Sequence, residues 1–376
     1  MEFLFLASFS EIMSYVGYIL LAVLVLLVMI TVHEFGHYIA GKIFGFGINE
    51  FSIGFGPKLF SKQKKDGEVF SVRAFPVGGF CAFKGEDEDS DDPTAFNNKK
   101  WWQRIIVLVS GAFMNYLLAV LLIAIMFGVY GHTALVTYKM EENSNPIYTA
   151  ENSFQERDVI LKANGKNVYL STDLMQAIEG KKEGDMVSFV VMRGGEEKTI
   201  KVILRADTDF SNVEDNAKLL KAIGVFIETD GQSGEIISSG LYSTGVKFGF
   251  FQTLGRSFEY SLRLAGSIFT ILHQLLSGAL GIKSLGGTVT TISVTATAIK
   301  VGGFRNLLNI ASFIGVNLAV FNLLPFPALD GSRVVFTAIE GIRKKPLNRR
   351  VEGIIHAVGL IIILLFAIFI DLQQCF

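Results

Sequence analysis

The chain has 376 residues, half of them hydrophobic and only 18% charged, with 34 Lys and Arg against 35 Asp and Glu. That apolar content excludes an intrinsically disordered chain, and two cysteines, Cys81 and Cys375, are too few for a disulfide scaffold. A net charge of −1 gives no reason to expect a nucleic-acid partner.

The apolar residues are gathered into runs. Residues 12–32, 105–131, 307–329 and 353–370 contain no Asp, Glu, Lys or Arg. About 20 apolar residues carry a helix across a bilayer core. Three runs exceed that length and the fourth, interrupted by His356, nearly reaches it. The expected fold is therefore a polytopic α-helical membrane protein with four transmembrane helices and an inserted β-rich domain. The first run has two Glu and no Lys or Arg ahead of it, and no small-residue cleavage site after it. It is expected to stay in the protein rather than to be a signal peptide.

The first span, within residues 1–40, leads into Thr31-Val-His33-Glu34-Phe-Gly-His37. Positions i and i+4 share a helix face, so the imidazoles of His33 and His37 can converge on one cation. Glu34, one residue along, can act on a metal-bound water without being a ligand. This is the HExxH pattern of zinc proteases. A histidine pair satisfied inside a helical bundle is the alternative, but ionisable groups in a span are costly without a function.

Residues 41–104 follow as a region on the near side of the membrane. Their glycines, Gly54-Phe-Gly-Pro57 and Val77-Gly78-Gly79-Phe80, suit a turn-rich β-loop over 51–85. The acidic run 86–92 reads as a solvated surface. The second span is 105–131. Beyond it, residues 136–206 change character. A strand at 158–163 runs into Asn164-Gly165, a helix is expected at 171–179, and strands at 186–192 and 199–204 flank the turn Arg193-Gly-Gly-Glu196. This order resembles a circularly permuted PDZ domain, a fold that binds extended peptides by adding a strand. Residues 207–306 read as a linker, polar over 207–245, followed by a helix at 264–281. His273 and Gln274 make that helix look like one lying on the membrane surface, although a re-entrant segment stays open.

The third span, 307–331, ends in Asn322-Leu-Leu-Pro-Phe-Pro-Ala-Leu-Asp330-Gly331. Two prolines break the helix and free backbone groups to line a wet cavity. Catalytic zinc takes three protein ligands and an open position, so a third ligand is needed. Asp330 is the one carboxylate at the end of this run. An ordinary helix stop with an Asp-Gly turn remains the alternative reading. A basic loop at 332–352 and a fourth span at 353–371 complete the chain.

Lys and Arg are retained on the cytoplasmic side of short loops. Residues 41–104 and 333–350 hold 16 of them in 82 positions, and residues 132–306 hold 18 in 175. Both basic loops are therefore expected in the cytoplasm and 132–306 outside. One intervening span then brings Asp330 to the side of His33 and His37. A full span at 264–281 would place it on the other.

HEFGH, the PDZ-like insert and NLLPFPALDG together resemble the site-2 protease family of intramembrane zinc metalloproteases, of the bacterial regulator-of-sigma-E protease type with a single PDZ domain. The resemblance also takes in the Gly-rich β-loop and Ser110-Gly-Ala-Phe-Met-Asn115, where Ala112 replaces a common proline. It implies Zn2+ bound by His33, His37 and Asp330, with Glu34 as the catalytic base. It also implies substrate contacts from Asn322, Gly78, Gly79 and Phe80. The implied substrates are single-span membrane proteins in the bacterial inner membrane, such as truncated anti-sigma factors or signal-peptide remnants. An upstream site-1 protease is implied as the partner that shortens them first. A membrane metal transporter and an inactive PDZ scaffold are the rival readings.

Overall fold

A computed structural model describes the chain except for residues 1–8, 87–89, 141–152, 170, 179, 183, 206–219, 230–235, 279–280, 282–285 and 376. It divides into two compact units, Met1–Met126 with Leu254–Phe376, and Phe127–Thr253.

The first unit is helical. Helix α1 runs Phe9–Ile43 and α2 runs Trp101–Tyr130. Among the described residues, four helices are long and apolar enough to cross a membrane, at Met13–Ile43, Trp101–Tyr130, Thr290–Leu323 and Arg349–Gln373. α1 continues past HEFGH to Ile43, so the motif lies inside the helix and not at its end. Its stop is Gly45, whose φ of 67° ends the helical path.

Between α1 and α2, β1 (Ile48–Gln63) and β2 (Val69–Phe83) form an antiparallel pair with several register shifts. Each strand bends on itself. Residues 50–53 pair with 69–72 on one side and with 79–82 on the other, while 58–63 pair with 69–73. The result is four short segments side by side, with 79–83 at one edge and 58–63 at the other. Gly54, Gly56 and Gly78, at φ 84°, 85° and 131°, make the bends that a side chain would hinder. Phe55, Leu59, Phe60 and Phe75 project from this hairpin, exposed.

Helix α4 (Phe250–Leu276) is not one of the four membrane-length helices, and it packs on α2. Ile268 is buried with Ala119 of α2 and with Val316, and Tyr116 hydroxyl lies 2.7 Å from that of Ser261. Ser257 and Ser261 are fully buried, so small polar residues permit the close approach to α2 that composition scores against. Helix α5 (Thr288–Leu323), which contains Val316, begins well before the charge-free run and kinks at Gly303, φ 57°. Lys300 and Arg305 hide this extension from a charge count. α5 ends at Leu323, before Pro325, and α6 (Asp330–Arg343) starts afresh at the candidate ligand. α7 (Arg349–Cys375) is the last apolar helix.

Arg104 ties the start of α2 to α6. Its guanidinium donates to Glu340 at 2.6 Å, with both side chains buried, and Arg349 also reaches Glu340 at 3.3 Å. Burial pushes the Glu340 carboxyl up, but the Leu347 N–H and Arg104 together hold it below its ordinary value.

The second unit is a sheet in the order β10-β3-β4-β6-β7, with β5 beside β4. These strands are β3 (His132–Thr137), β4 (Val159–Ala163), β5 (Lys166–Asn167), β6 (Met186–Arg193), β7 (Glu196–Ile203) and β10 (Leu241–Val246). A separate pair, β8 (Ile227–Thr229) and β9 (Ile236–Ser239), precedes β10. Helix α3 (Ser171–Ile178) covers the core with Leu174 and Ile178, against Ile160, Phe189 and Val202. The Arg193-Gly-Gly-Glu196 turn joins β6 to β7 as read. The Arg193 guanidinium grips the fully buried Asp158 with two 2.7 Å hydrogen bonds. Much of the linker read at 207–245, and part of the acidic run, lie outside the described residues.

Candidate metal centre

His33 and His37 share one face of α1, and α2 crosses that face at Gly111. The i to i+4 spacing aligns the two imidazoles, with ring centroids 4.7 Å apart and planes at 84°. A Cβ at Gly111 would strike Nε2 of His37 and lie 2.8 Å from Cε1 of His33. Between the two histidines, Gly36 rests directly on the backbone of Ser110. Small residues on both helices thus hold the crossing close enough to leave one small gap above the imidazoles.

Asp330 completes the cluster from a position 297 residues from His33. Its Oδ2 is 3.0 Å from His33 Nε2 and 3.4 Å from His37 Nε2, and the two Nε2 atoms are 3.1 Å apart. Three ligand atoms around a tetrahedral cation at about 2.0–2.1 Å would be separated by about 3.3 Å. The donor set therefore fits a zinc-sized ion, with the gap under Gly111 as its cradle. These residues are the one group of three or more His, Cys, Asp or Glu with that convergence among the described residues. Both histidines are nine-tenths buried and Asp330 is mostly so.

The far side of each ring matters as much. His37 Nδ1–H donates to the Val107 carbonyl of α2 at 2.8 Å, which leaves the Nε2 lone pair for a cation. The carboxamides of Asn322 and Asn115 lie 3.3 and 3.5 Å from His33 Nδ1. A ligating Nε2 requires a proton on Nδ1, and so an acceptor facing it. The Asn115 oxygen is buried without a partner, and exchanging the two ends of that amide turns it onto His33. Asn115 was visible in the sequence only as part of a small-residue motif, and Val107 contributes through a carbonyl that no sequence pattern marks.

Glu34 faces the hairpin. A Cβ at Gly79 would sit 3.5 Å from Glu34 Cγ and 2.8 Å from the Ser52 carbonyl. Gly79 therefore borders the site directly. Gly78 packs on the Phe55 ring, and Phe80 stacks on Phe55 at 6.1 Å and carries Arg73 at 5.2 Å. Cys81 itself is partly buried, burial pushes its thiol up, and it does not belong to the converging group of His33, His37 and Asp330.

The hairpin is fastened to α1 by charge. Glu68, almost fully buried, pairs with Lys42 near the end of α1 and with Lys64 at 2.8 Å. Lys64 also donates to the Tyr38 hydroxyl at 2.9 Å.

Comparison with known families bears on this arrangement. Residues 21–366 match the model of peptidase family M50. The chain belongs to peptidase family M50, the site-2 proteases. A Clostridium perfringens protein provisionally named a zinc metalloprotease is 30% identical over 366 residues, covering 95% of this chain and 98% of that one. A similarly named Fusobacterium nucleatum protein is 29% identical over 94% of this chain and 97% of its own length. The zinc metalloprotease RasP of Bacillus licheniformis is 28% identical over 93% and 97%. As an M50 peptidase with four membrane-length helices, the protein is an integral membrane metalloprotease.

Proposed function

We propose that this chain is an intramembrane zinc endopeptidase whose ligands are His33, His37 and Asp330 and whose general base is Glu34. The observation that supports it most is the convergence of three donor atoms at 3.0–3.4 Å beside the one carboxylate that follows a ligand by one residue. Zinc bound there supplies Lewis acidity, polarising the scissile carbonyl and lowering the pKa of water from 15.7 toward about 7. Glu34 takes the water's proton and delivers it to the leaving amide nitrogen. Asn115 accepts from His33 Nδ1–H, which leaves the Asn322 amide to donate to the substrate backbone.

A substrate helix has its carbonyls engaged in i to i−4 bonds and must unwind before attack. Of the two hairpin edges, 79–83 lies beside Glu34 and is the one to which an unwound strand would add, with Gly78 and Gly79 allowing the backbones to meet and Phe80 lining the path. Substrates in this reading are single-span membrane proteins, such as truncated anti-sigma factors or signal-peptide remnants, cut during regulated intramembrane proteolysis. The second unit acts as a PDZ-like domain outside the bacterial inner membrane. There it would exclude substrates whose outer domain an upstream site-1 protease has not yet shortened. The zinc site lies toward the cytoplasm.

Purified protein should hold one zinc and cut a single-span reporter, with Glu34→Gln as the inactive comparator. A transporter would hold zinc and leave the reporter whole, and an inactive scaffold would fail both tests. Cysteines introduced at Ser153 and Asn348 should label from opposite faces. A reporter with a long outer domain should be cut less than one with a short domain, and equal cleavage would remove the size-exclusion role.

A further inference from the structure

The turn that presents Asp330 is held from outside, by the last apolar helix. Pro325 and Pro327 have no N–H to donate. Phe326 N–H donates to the Leu324 carbonyl at 2.7 Å, and Leu329 N–H to the Phe326 carbonyl at 3.1 Å. Ala328 N–H instead leaves the turn and donates to Nδ1 of His356 on α7, at 3.0 Å. Ala328 adopts φ 76°, a left-handed conformation that a residue with a side chain rarely takes. Such a conformation persists only where the surroundings over-determine it.

Those surroundings are on α7 and α6. One turn beyond His356, Gly359 has no side chain, and a Cβ there would run into the Pro327 ring and lie 2.8 Å from its carbonyl carbon and oxygen. Phe336 of α6 stands edge-on to the imidazole at 5.7 Å and 86°, fixing the ring plane. Nδ1 can accept from Ala328 only as an unprotonated nitrogen, so the ring is held in one tautomer. The other ring nitrogen, Nε2, lies 3.9 Å from Glu352 one turn earlier on the same helix.

We propose that His356 is a positioning residue for the metal centre. Its Nδ1 lone pair fixes the Ala328 turn, and the turn sets Asp330 Oδ2 against His33 and His37. The inference rests on Asp330 being a ligand and adds the residue that places it.

Three substitutions test it, read by zinc affinity in chelator competition together with kcat and KM. Asparagine carries its oxygen at nearly the position of Nδ1, whereas glutamine carries it one carbon further and leucine has none. His356→Leu and His356→Gln should weaken zinc binding about tenfold or more and lower kcat with KM little changed, the range found for groups that orient ligands. His356→Asn should stay within about threefold of the parent protein by the same measure. If His356→Leu fails to fold, the asparagine and glutamine variants carry the comparison. Parent-like zinc affinity in His356→Gln, or equal losses in the asparagine and glutamine variants, would overturn the proposal. Asp330→Ala is the separate control: if it keeps zinc, the ligand assignment fails, and if it loses zinc while His356→Gln does not, only the role of His356 fails.

Discussion

The two histidines reach the candidate metal centre from the interior of an unbroken helix, whereas Asp330 reaches it from the first residue of α6, directly after the turn that follows α5. Helical hydrogen bonds alone set the first half, because i and i+4 share a face wherever α1 goes. The second half has no such internal guarantee. It depends on prolines that stop α5, on Gly331 packing on the carbonyls of Leu323 and Leu324, and on α7 behind it. A site can thus be half local and half tertiary, and the two halves should respond differently to mutation.

The largest difference expected is chemical. Asp330→Ala should remove most of the bound zinc and all activity, while Glu34→Gln should keep zinc and lose activity by about 10²- to 10⁴-fold. Metal analysis beside reporter cleavage separates the two outcomes, and full zinc in Asp330→Ala would dismiss it as a ligand. Next comes the crossing that roofs the histidine half. Gly111→Ala places a methyl against His37 Nε2 and should lower zinc affinity by about tenfold, roughly 1.4 kcal/mol, without unfolding the helices.

The contrast also explains what was legible in the sequence. HEFGH was readable because its chemistry is written in one helical turn, and the charge-free runs marked the helices around it. The strand–helix–strand order of 158–204 was readable from its Asn-Gly and Gly-Gly turns. Asp330 needed an argument about depth and side, since its neighbours in space are far away in sequence. Asn115, Val107 and His356 were not assigned roles because each acts through one tertiary hydrogen bond, which leaves no periodicity behind. The packing of α4 on α2 was missed for a related reason: Ser257 and Ser261 count as polar by composition yet serve as small contact residues.

Tertiary support for the Asp330 half can be weakened without touching the site. Arg104→Met leaves Glu340 with Arg349 at 3.3 Å as its remaining charge partner, so the loss should fall below the about 3–5 kcal/mol typical of a buried charge left unpaired. Thermal unfolding in detergent should show that loss, and zinc should leave at a lower temperature than in the parent protein. An unchanged midpoint would mean that α6 is held by its apolar contacts alone.

The smallest effect concerns the other half, where Glu68 fastens the hairpin to α1. Burial pushes this carboxyl up, but hydrogen bonds from Lys42 and Lys64 outweigh it and hold the group below its ordinary value. The link is therefore complete above the unfolded carboxyl value of about 4.3 and fails as pH falls through the lower folded value. Hydrogen exchange over 60–72 should accelerate below about pH 4 in the parent protein, and Glu68→Gln should remove that acid-dependent step. Loss of zinc in acid is common to both proteins and cancels in the comparison.

X-ray absorption at the zinc edge of the Glu34→Gln protein examines the central claim most directly, because that variant holds the metal without turning over. Two imidazole nitrogens and a carboxylate oxygen at about 2.0–2.2 Å are the predicted first neighbours. A sulfur neighbour at about 2.3 Å, or a single imidazole, would contradict the site formed by His33, His37 and Asp330.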